Sequence, residues 1–152
     1  MKNFRFWQRW LSIFGWIVVI FGVGMALLNR TPLFAIFDAQ VNPVFWSQSP
    51  VSTSVNEFQG WIYGIFGAVM AGWGVFLVFL THYPFQQRER WAWICFLLGI
   101  LLWYVLDTGI SLYFGVTFNA IFNTAIMALA AIPLAFTWKE FWHETNNTLS
   151  KS

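Results

Sequence analysis

The feature that most constrains this chain is a series of four apolar runs, each long enough to cross a lipid bilayer as a helix. A spanning helix needs about 20 predominantly apolar residues, since each residue advances about 1.5 Å through a hydrocarbon core of about 30 Å. The runs, which we call spans one to four, cover about residues 10–28, 58–80, 91–113 and 118–138. The sequence therefore predicts an all-α integral membrane protein, a four-helix bundle forming a single membrane domain over residues 1–152.

Composition excludes a water-soluble domain. Only 9% of the 152 residues are charged, whereas 59% are hydrophobic and 22% are aromatic, and a soluble domain carries about 25% charged residues. The net charge of +2 supplies no basic stripe, so no nucleic-acid partner is expected. The expected partners are membrane lipids, with a homo-oligomer or a larger membrane complex as open alternatives.

No sequence pattern indicates a metal, a cofactor or a catalytic nucleophile. The single cysteine, Cys95, falls in an apolar run, where a buried apolar role is expected. His82 and His143 stand at the edges of apolar runs without a second ligand at metal spacing. Thr108 and Ser111 have no histidine at their depth to act as a base. We therefore expect no cofactor and no metal site, and we favour a protein that is not an enzyme.

The distribution of basic residues predicts the orientation of the bundle. Of the eight lysines and arginines, only Arg30 falls on one side, and the other seven fall on the opposite side. Those seven are Lys2, Arg5, Arg9, Arg88, Arg90, Lys139 and Lys151. Because basic residues concentrate in cytoplasmic loops, both termini and the polar tail at 139–152 are predicted to be cytoplasmic.

Span one has a second interpretation. A basic start, an apolar run and the small residues Gly24 and Ala26 are also typical of a cleavable signal peptide. Its removal would leave three spans and place the termini on opposite sides. We expect span one to be retained.

The first outer loop is predicted to contain a short amphipathic helix. Thr31 as N-cap and Pro32 at the first helical position are typical of a helix start, and apolar residues then recur near helical spacing. These residues are Leu33, Phe34, Phe37, Val41 and Phe45. Pro43 is expected to end the helix. This short helix either lies in the outer membrane interface or folds over the mouth of the bundle.

Helix packing is predicted to centre on span two. In lipid, small residues let helix backbones approach closely, and span two carries a small residue at every fourth position, namely Gly60, Gly64, Ala68 and Gly72. A neighbouring face of span two carries Gly67, Ala71 and Gly74. The expected partners are span one and span four, and a dimer interface is the alternative. In span four, Pro133 is expected to leave the carbonyl of Leu129 without its helical donor.

Asp107 is the one acid well inside a predicted span, about six residues or roughly 9 Å from the outer end of span three. A charged side chain at the bilayer centre costs about 2.5–3.5 kcal/mol on insertion scales, so Asp107 must be protonated, paired or hydrated. Trp103 and Ser111 share its stripe on the helix, and span four presents Asn119 and Asn123 from the same end. These residues predict a polar cluster.

Two more residues are assigned to this cluster. Tyr63 lies at a similar depth on span two, and Arg30 is expected to reach inward from the end of span one and pair with Asp107. In a purely structural interpretation, Asp107 hydrogen-bonds Asn123 and Tyr63 and so fixes the helices relative to one another. In a functional one, the cluster lines an outward-facing pocket, where Asp107 binds a headgroup or a cation, or carries a proton.

Three functions follow from this cluster. The first is a non-enzymatic accessory or lipid-interacting subunit with the polar cluster around Asp107. The second is a proton-linked transporter or an oligomeric channel subunit that uses Asp107 as its titrating group. The third, a membrane enzyme acting on a lipid or quinone-like substrate, rests only on the aromatic surroundings of Asp107.

Part of the sequence resembles a known group of membrane proteins. The residues that carry the resemblance are Tyr63, Gly64, Gly67, Met70, Gly72, Trp73 and Gly74, then Trp103, Asp107, Thr108 and Ser111, then Phe118, Asn119 and Asn123. Over residues 57–138 the chain resembles small bacterial four-span proteins of the DoxX-like group in size, in hairpin arrangement and in an acid, Glu57, before the Tyr63-Gly64 pair. The resemblance implies a compact four-helix fold in a bacterial inner membrane, and it implies no activity.

Overall fold

The computed structural model describes residues 2–47 and 50–142, and all its regular structure over those ranges is helical. The helices are α1 (Lys2–Leu28), α2 (Ala35–Phe45), α3 (Thr53–His82), α4 (Arg90–Tyr113) and α5 (Thr117–Trp142). All except α2 are long and apolar enough to cross a membrane. The predicted fold class, an all-α membrane four-helix bundle with a short helix in the first outer loop, is confirmed.

Three spanning helices extend beyond the predicted apolar runs. Helix α1 begins at Lys2, α3 begins at Thr53, and α5 continues to Trp142, because polar residues outside the hydrocarbon core still complete helical turns. The first residues of the predicted tail at 139–152 are therefore helical. The remaining tail, with His143 and Lys151, lies outside the described residues.

The short helix α2 is present, but both predicted ends are wrong. The Thr31 hydroxyl donates to the carbonyl of Leu28 at 2.7 Å instead of capping a helix, and α2 begins only at Ala35. Pro43 lies inside α2, which ends at Phe45. A proline is tolerated there because its missing donor affects Ala39, which is exposed.

We call the end of the bundle that carries α2 and Gly115 the outer end, and the opposite end the arginine-rich end. Helix α1 packs mainly on α3, and α4 packs on α5. The two pairs meet chiefly through α1 and α5, whereas α3 and α4 contact each other sparsely. The expected partnership of spans one and two is confirmed, but span four packs on spans three and one.

The contact between α1 and α3 depends on glycines. A Cβ atom on Gly67 would lie 2.5 Å from the carbonyl oxygen of Gly22, and one on Gly22 would lie 2.5 Å from the amide nitrogen of Ala71. A Cβ atom on Gly74 would lie 2.7 Å from the amide nitrogen of Val19. These backbones approach as closely as only glycine permits.

The predicted packing ridge is therefore wrong in its position on the helix. A Cβ on Gly72 would meet nothing within 4 Å, Ala68 is exposed, and Gly64 has only ordinary contact, 3.8 Å to a carbonyl of α1. Gly60 faces the guanidinium of Arg30. The reason is helical geometry, because residues spaced by four drift about 40° around the helix at each step. The spacing of Gly67, Ala71 and Gly74, four and then three, stays on one face.

Pro133 has the expected effect on hydrogen bonding. The carbonyl of Leu129 would pair with an amide at position 133, and it accepts instead from the indole nitrogen of Trp10 at 2.9 Å. One turn further, Trp93 donates to the carbonyl of Leu134 at 3.0 Å. Indole groups from α1 and α4 thus bind the backbone of α5 around its proline.

The arginine-rich end is closed by an aromatic cluster. Phe85, between α3 and α4, is fully buried, with its ring centroid 6.0 Å from that of Phe4 and 4.7 Å from that of Phe141. Arg90 Nε donates to the carbonyl of Phe141 at 2.9 Å. The loop between α3 and α4 is therefore packed into this end of the bundle, and Arg90 at the start of α4 contributes a hydrogen bond to that packing.

Candidate functional site

The candidate site is a cavity of about 310 Å³ at the outer end, bounded by all five helices. Its lining is mostly apolar and rich in phenylalanine, and every helix and the turn between α4 and α5 contribute to it. The phenylalanines are Phe21, Phe37, Phe45, Phe66, Phe114, Phe118 and Phe122. Six of the seven residues predicted for the polar cluster lie along this lining. They are Tyr63, Trp103, Asp107, Ser111, Asn119 and Asn123.

Helix α2 forms the outer wall of the cavity. Phe37, Val41 and Phe45, four residues apart, line it, and the Phe37 ring centroid lies 5.8 Å from that of Phe118 on α5. On its other side, α2 binds α3 through Asn42, whose side-chain oxygen accepts from Gln59 Nε2 at 2.5 Å. Of the two placements predicted for this helix, the structure has the one over the mouth of the bundle.

Asp107 is the centre of a hydrogen-bond network between α4 and α5. Its Oδ1 atom accepts from Asn119 Nδ2 at 2.7 Å, from Asn123 Nδ2 at 2.9 Å and from Ser111 Oγ at 3.3 Å. Asn119 Nδ2 also lies 2.8 Å from Ser111 Oγ. Asn123 is only 2% exposed, so its amide is held in a fixed place beside the carboxylate.

The chain brings these residues together through a short turn. Gly115 joins α4 to α5 with a φ of 77°, a left-handed conformation that favours glycine. Asp107 and Asn123 stand at equal distances in sequence on either side of Gly115, and so do Ser111 and Asn119. Because two antiparallel helices advance equally from their turn, each pair is placed at one depth.

The second carboxylate oxygen of Asp107 is chemically available. Oδ2 accepts no hydrogen bond from any of the residues that the structure describes, whereas Oδ1 accepts three. A carboxylate oxygen has two lone pairs and can accept strong hydrogen bonds. Since Asp107 lines the cavity, a molecule in the cavity can supply the missing donor.

Tyr63 lines the same cavity, but the predicted hydrogen bond to Asp107 is wrong. Its hydroxyl is buried and has no hydrogen-bond partner among the described residues. Asp38 of α2 lies near this hydroxyl, and its Oδ1 atom is also buried without a hydrogen-bond partner among the described residues. The cause is that α3 and α4 hardly meet, while α2 lies against α3.

A role for Asp38 is not predicted from the sequence. The available signal was its spacing of four from Asn42, which gives α2 a polar stripe beside its apolar one.

Trp103, which is predicted to belong to the polar cluster, closes the inner side of the cavity. Its ring centroid lies 6.0 Å from that of Trp73 on α3.

Arg30 does not pair with Asp107, and this prediction is wrong. Its Nη1 atom donates to the side-chain oxygen of Asn56 at 2.6 Å, and its guanidinium lies over Gly60, where the missing side chain leaves room. Helix α1 ends at Leu28, so Arg30 lies beyond the helix and its side chain packs against the start of α3 instead of reaching Asp107 on α4.

The arrangement supports binding more directly than catalysis. A single carboxylate oxygen in an aromatic cavity can accept a hydrogen bond or pair with a cation. Within the described part of the chain, no group of three histidine, cysteine or acidic side chains is placed to hold a metal ion.

Comparisons of the chain with models of protein families, with curated proteins and with solved structures give no match. The resemblance to the DoxX-like group therefore remains a prediction.

Proposed function

We propose that this chain is a non-enzymatic membrane protein that binds a lipid-like molecule in the outer cavity, with Asp107 as the polar anchor. The observation that carries the proposal is the Oδ2 atom of Asp107, which has no hydrogen-bond partner among the described residues and belongs to a cavity wall that is mostly aromatic and aliphatic. A carboxylate oxygen inside a membrane span has little water to supply a donor, and a polar group left unpaired in apolar surroundings costs free energy. A ligand that donates a hydrogen bond, or carries an ammonium group, offsets that cost.

The size of the cavity restricts the ligand. A volume of about 310 Å³ is near the lower end of the range of roughly 300–1,000 Å³ for small-molecule sites. It accommodates one ring system or one chain segment with its polar end, and it is too small for a whole phospholipid. The ligand class is therefore a compact amphiphile with a donor or cationic end.

The surroundings of Asp107 favour binding over conduction. Toward the arginine-rich end, α4 continues from Trp103 with Ile100 and Phe96, and α5 carries Leu134, and these last three residues are all buried. A proton or ion pathway needs polar groups or water along its length. The transporter hypothesis therefore has no observation in its favour comparable to the unpartnered oxygen of Asp107.

The test of this function uses a probe with an N–H donor, phenylnaphthylamine, and the melting temperature of the purified protein in detergent. A ligand that binds only the folded state raises that temperature. We expect the rise in the parent protein and its loss in Val41→Phe, which places extra volume in the cavity from α2. The matched control is Ile36→Phe, on the exposed side of the same helix. An equal rise in both variants would exclude the cavity as the binding site.

The proposal includes an orientation, with the outer end facing the periplasm of a bacterial inner membrane and both termini in the cytoplasm. It is supported by the arginines at one end, because basic residues are retained in the cytoplasm. Reporter fusions after residue 152 and within residues 47–54 should report the cytoplasm and the periplasm, respectively. A periplasmic signal from residue 152, or a mature chain that lacks span one, would contradict this orientation.

A further inference from the structure

A second cavity, of about 900 Å³, lies at the arginine-rich end between the start of α1 and the loop that follows α3. Its chemistry is opposite to that of the outer cavity, since polar and basic side chains make up much of its lining. Arg5, Gln8, Arg9, His82 and Gln86 are among them, and no described acidic residue contributes.

Two of these charges are uncompensated. Arg5 and Arg9 are exposed, four residues apart on one face of α1, and neither forms an ion pair or a hydrogen bond with any described residue. Arg88, which also lines the cavity, contacts Glu140 at 3.4 Å and lies over the ring of Phe4 at 4.9 Å. Arg88 is therefore held in place by contacts within the protein, and Arg5 and Arg9 are the cations of this cavity that can bind an anion.

The floor of the cavity is held by contacts between α1 and α3. Gln8 Nε2 donates to the carbonyl of Thr81 at 3.2 Å, and Ser12 Oγ lies 3.3 Å from His82 Nδ1. Thr81 is fully buried. These contacts hold polar groups of α1 and α3 in fixed positions beside the two arginines.

Next to the arginines, α1 presents an apolar strip on the same side. Ile13 is 59% exposed, Trp16 is 51% exposed and Ile20 is 68% exposed. At helical spacing these residues follow Arg5 and Arg9 along one face and extend toward the middle of the membrane. An anion site followed by an apolar strip is complementary to a lipid, in which an anionic headgroup is joined to apolar chains.

We propose that this cavity binds the phosphate-bearing headgroup of one anionic lipid, with its acyl chains along the strip of Ile13, Trp16 and Ile20. The guanidinium groups of Arg5 and Arg9 bind the phosphate, because arginine presents paired donors that fit phosphate oxygens. This site is separate from the outer cavity, and it does not depend on the proposed function of that cavity.

The test is native mass spectrometry of the protein in detergent with equal amounts of phosphatidylglycerol and phosphatidylcholine. We expect the parent to retain phosphatidylglycerol preferentially, and Arg9→Gln to lower that retention about fivefold, as expected for one cation near the membrane surface. The double variant Arg5→Gln/Arg9→Gln should lose the preference. The control is Lys139→Gln, which removes one exposed charge at the same end but outside the cavity.

Three results would overturn the proposal. The first is unchanged phosphatidylglycerol retention in the double variant while its melting temperature matches that of the parent. The second is complete displacement of the lipid by inorganic phosphate, which would assign the site to a soluble anion. The third concerns the control. If Lys139→Gln lowered retention as much as Arg9→Gln, the effect would come from net charge, and the cavity would have no part in it.

Discussion

Gly67→Ala is expected to destabilise the bundle by about 1–3 kcal/mol, the usual cost of adding volume to a packed contact. The new methyl group would lie 2.5 Å from the carbonyl oxygen of Gly22 and 2.9 Å from the Cα of Ala26. Backbone atoms cannot rotate away as the end of a side chain can, so α1 and α3 must separate. The measurement is the melting temperature in detergent, which should fall clearly.

The matched control is Gly72→Ala on the same helix. A Cβ at Gly72 meets nothing within 4 Å, and alanine favours a helix over glycine by up to about 1 kcal/mol, so the melting temperature should stay or rise slightly. Gly22→Ala should behave like Gly67→Ala. The double variant should cost less than the sum, because one separation of α1 from α3 relieves both clashes.

An unchanged melting temperature in Gly67→Ala would mean that α1 and α3 do not touch at this point. A fall in Gly72→Ala equal to that in Gly67→Ala would restore the ridge first predicted from the sequence.

Asp107→Asn is expected to keep the fold and to weaken the binding of a ligand that donates a hydrogen bond. The amide oxygen of the variant can accept from Asn119 and Asn123 as Oδ1 does, so the melting temperature should match that of the parent. The amide nitrogen then replaces Oδ2, and an acceptor becomes a donor. A hydrogen bond to a charged group contributes about 1.5–3 kcal/mol, so a donor ligand should bind roughly 10- to 100-fold more weakly.

Two probes of the same shape separate this effect from general hydrophobic binding. Phenylnaphthylamine carries an N–H donor between its two ring systems, and benzylnaphthalene carries a methylene group in the same place. The parent should bind the amine more tightly, and Asp107→Asn should bind both alike. Asn123→Ala serves as the control, since it removes one donor to Oδ1 and should lower stability while keeping the preference for the amine. If Asp107→Asn kept that preference as well, Asp107 would be a purely structural contact.

Much of the fold follows from the sequence because a bilayer leaves a chain few choices. In hydrocarbon every backbone polar group must be paired within the segment, so an apolar run of spanning length is a helix. The pairing of Asp107 with Asn123 could also be expected, since the glycine turn fixes the relative depth of α4 and α5. The relative depth of residues on two helices joined by a short turn can be predicted from their spacing in the sequence.

The errors concern contacts that spacing does not fix. Helix α3 has two stripes of small residues, and either could be its packing face. The stripe that includes Gly72 has the more regular spacing in the sequence, but its residues drift around the helix and do not stay on one face. Tyr63 was assigned to Asp107 by depth alone. Depth does not say which helices are neighbours, and in the structure α2 brings Asp38 to Tyr63.

The ends and the position of α2 also could not be predicted from the sequence pattern. Its start depends on Thr31, which hydrogen-bonds back to α1 rather than forward. Its place over the cavity depends on the Phe37 contact with Phe118 and on the bond between Asn42 and Gln59. Both contacts join segments that only the folded bundle brings together.

The most direct measurement of the central claim is an experimental structure of the protein in a lipid bilayer, resolved well enough to show the outer cavity. We expect non-protein density among the phenylalanines, with its polar end about 3 Å from Oδ2 of Asp107, the distance of a hydrogen bond. A cavity filled by side chains of α2, or an Oδ2 atom bonded to a group of the protein itself, would contradict the assignment of Asp107 as a ligand anchor.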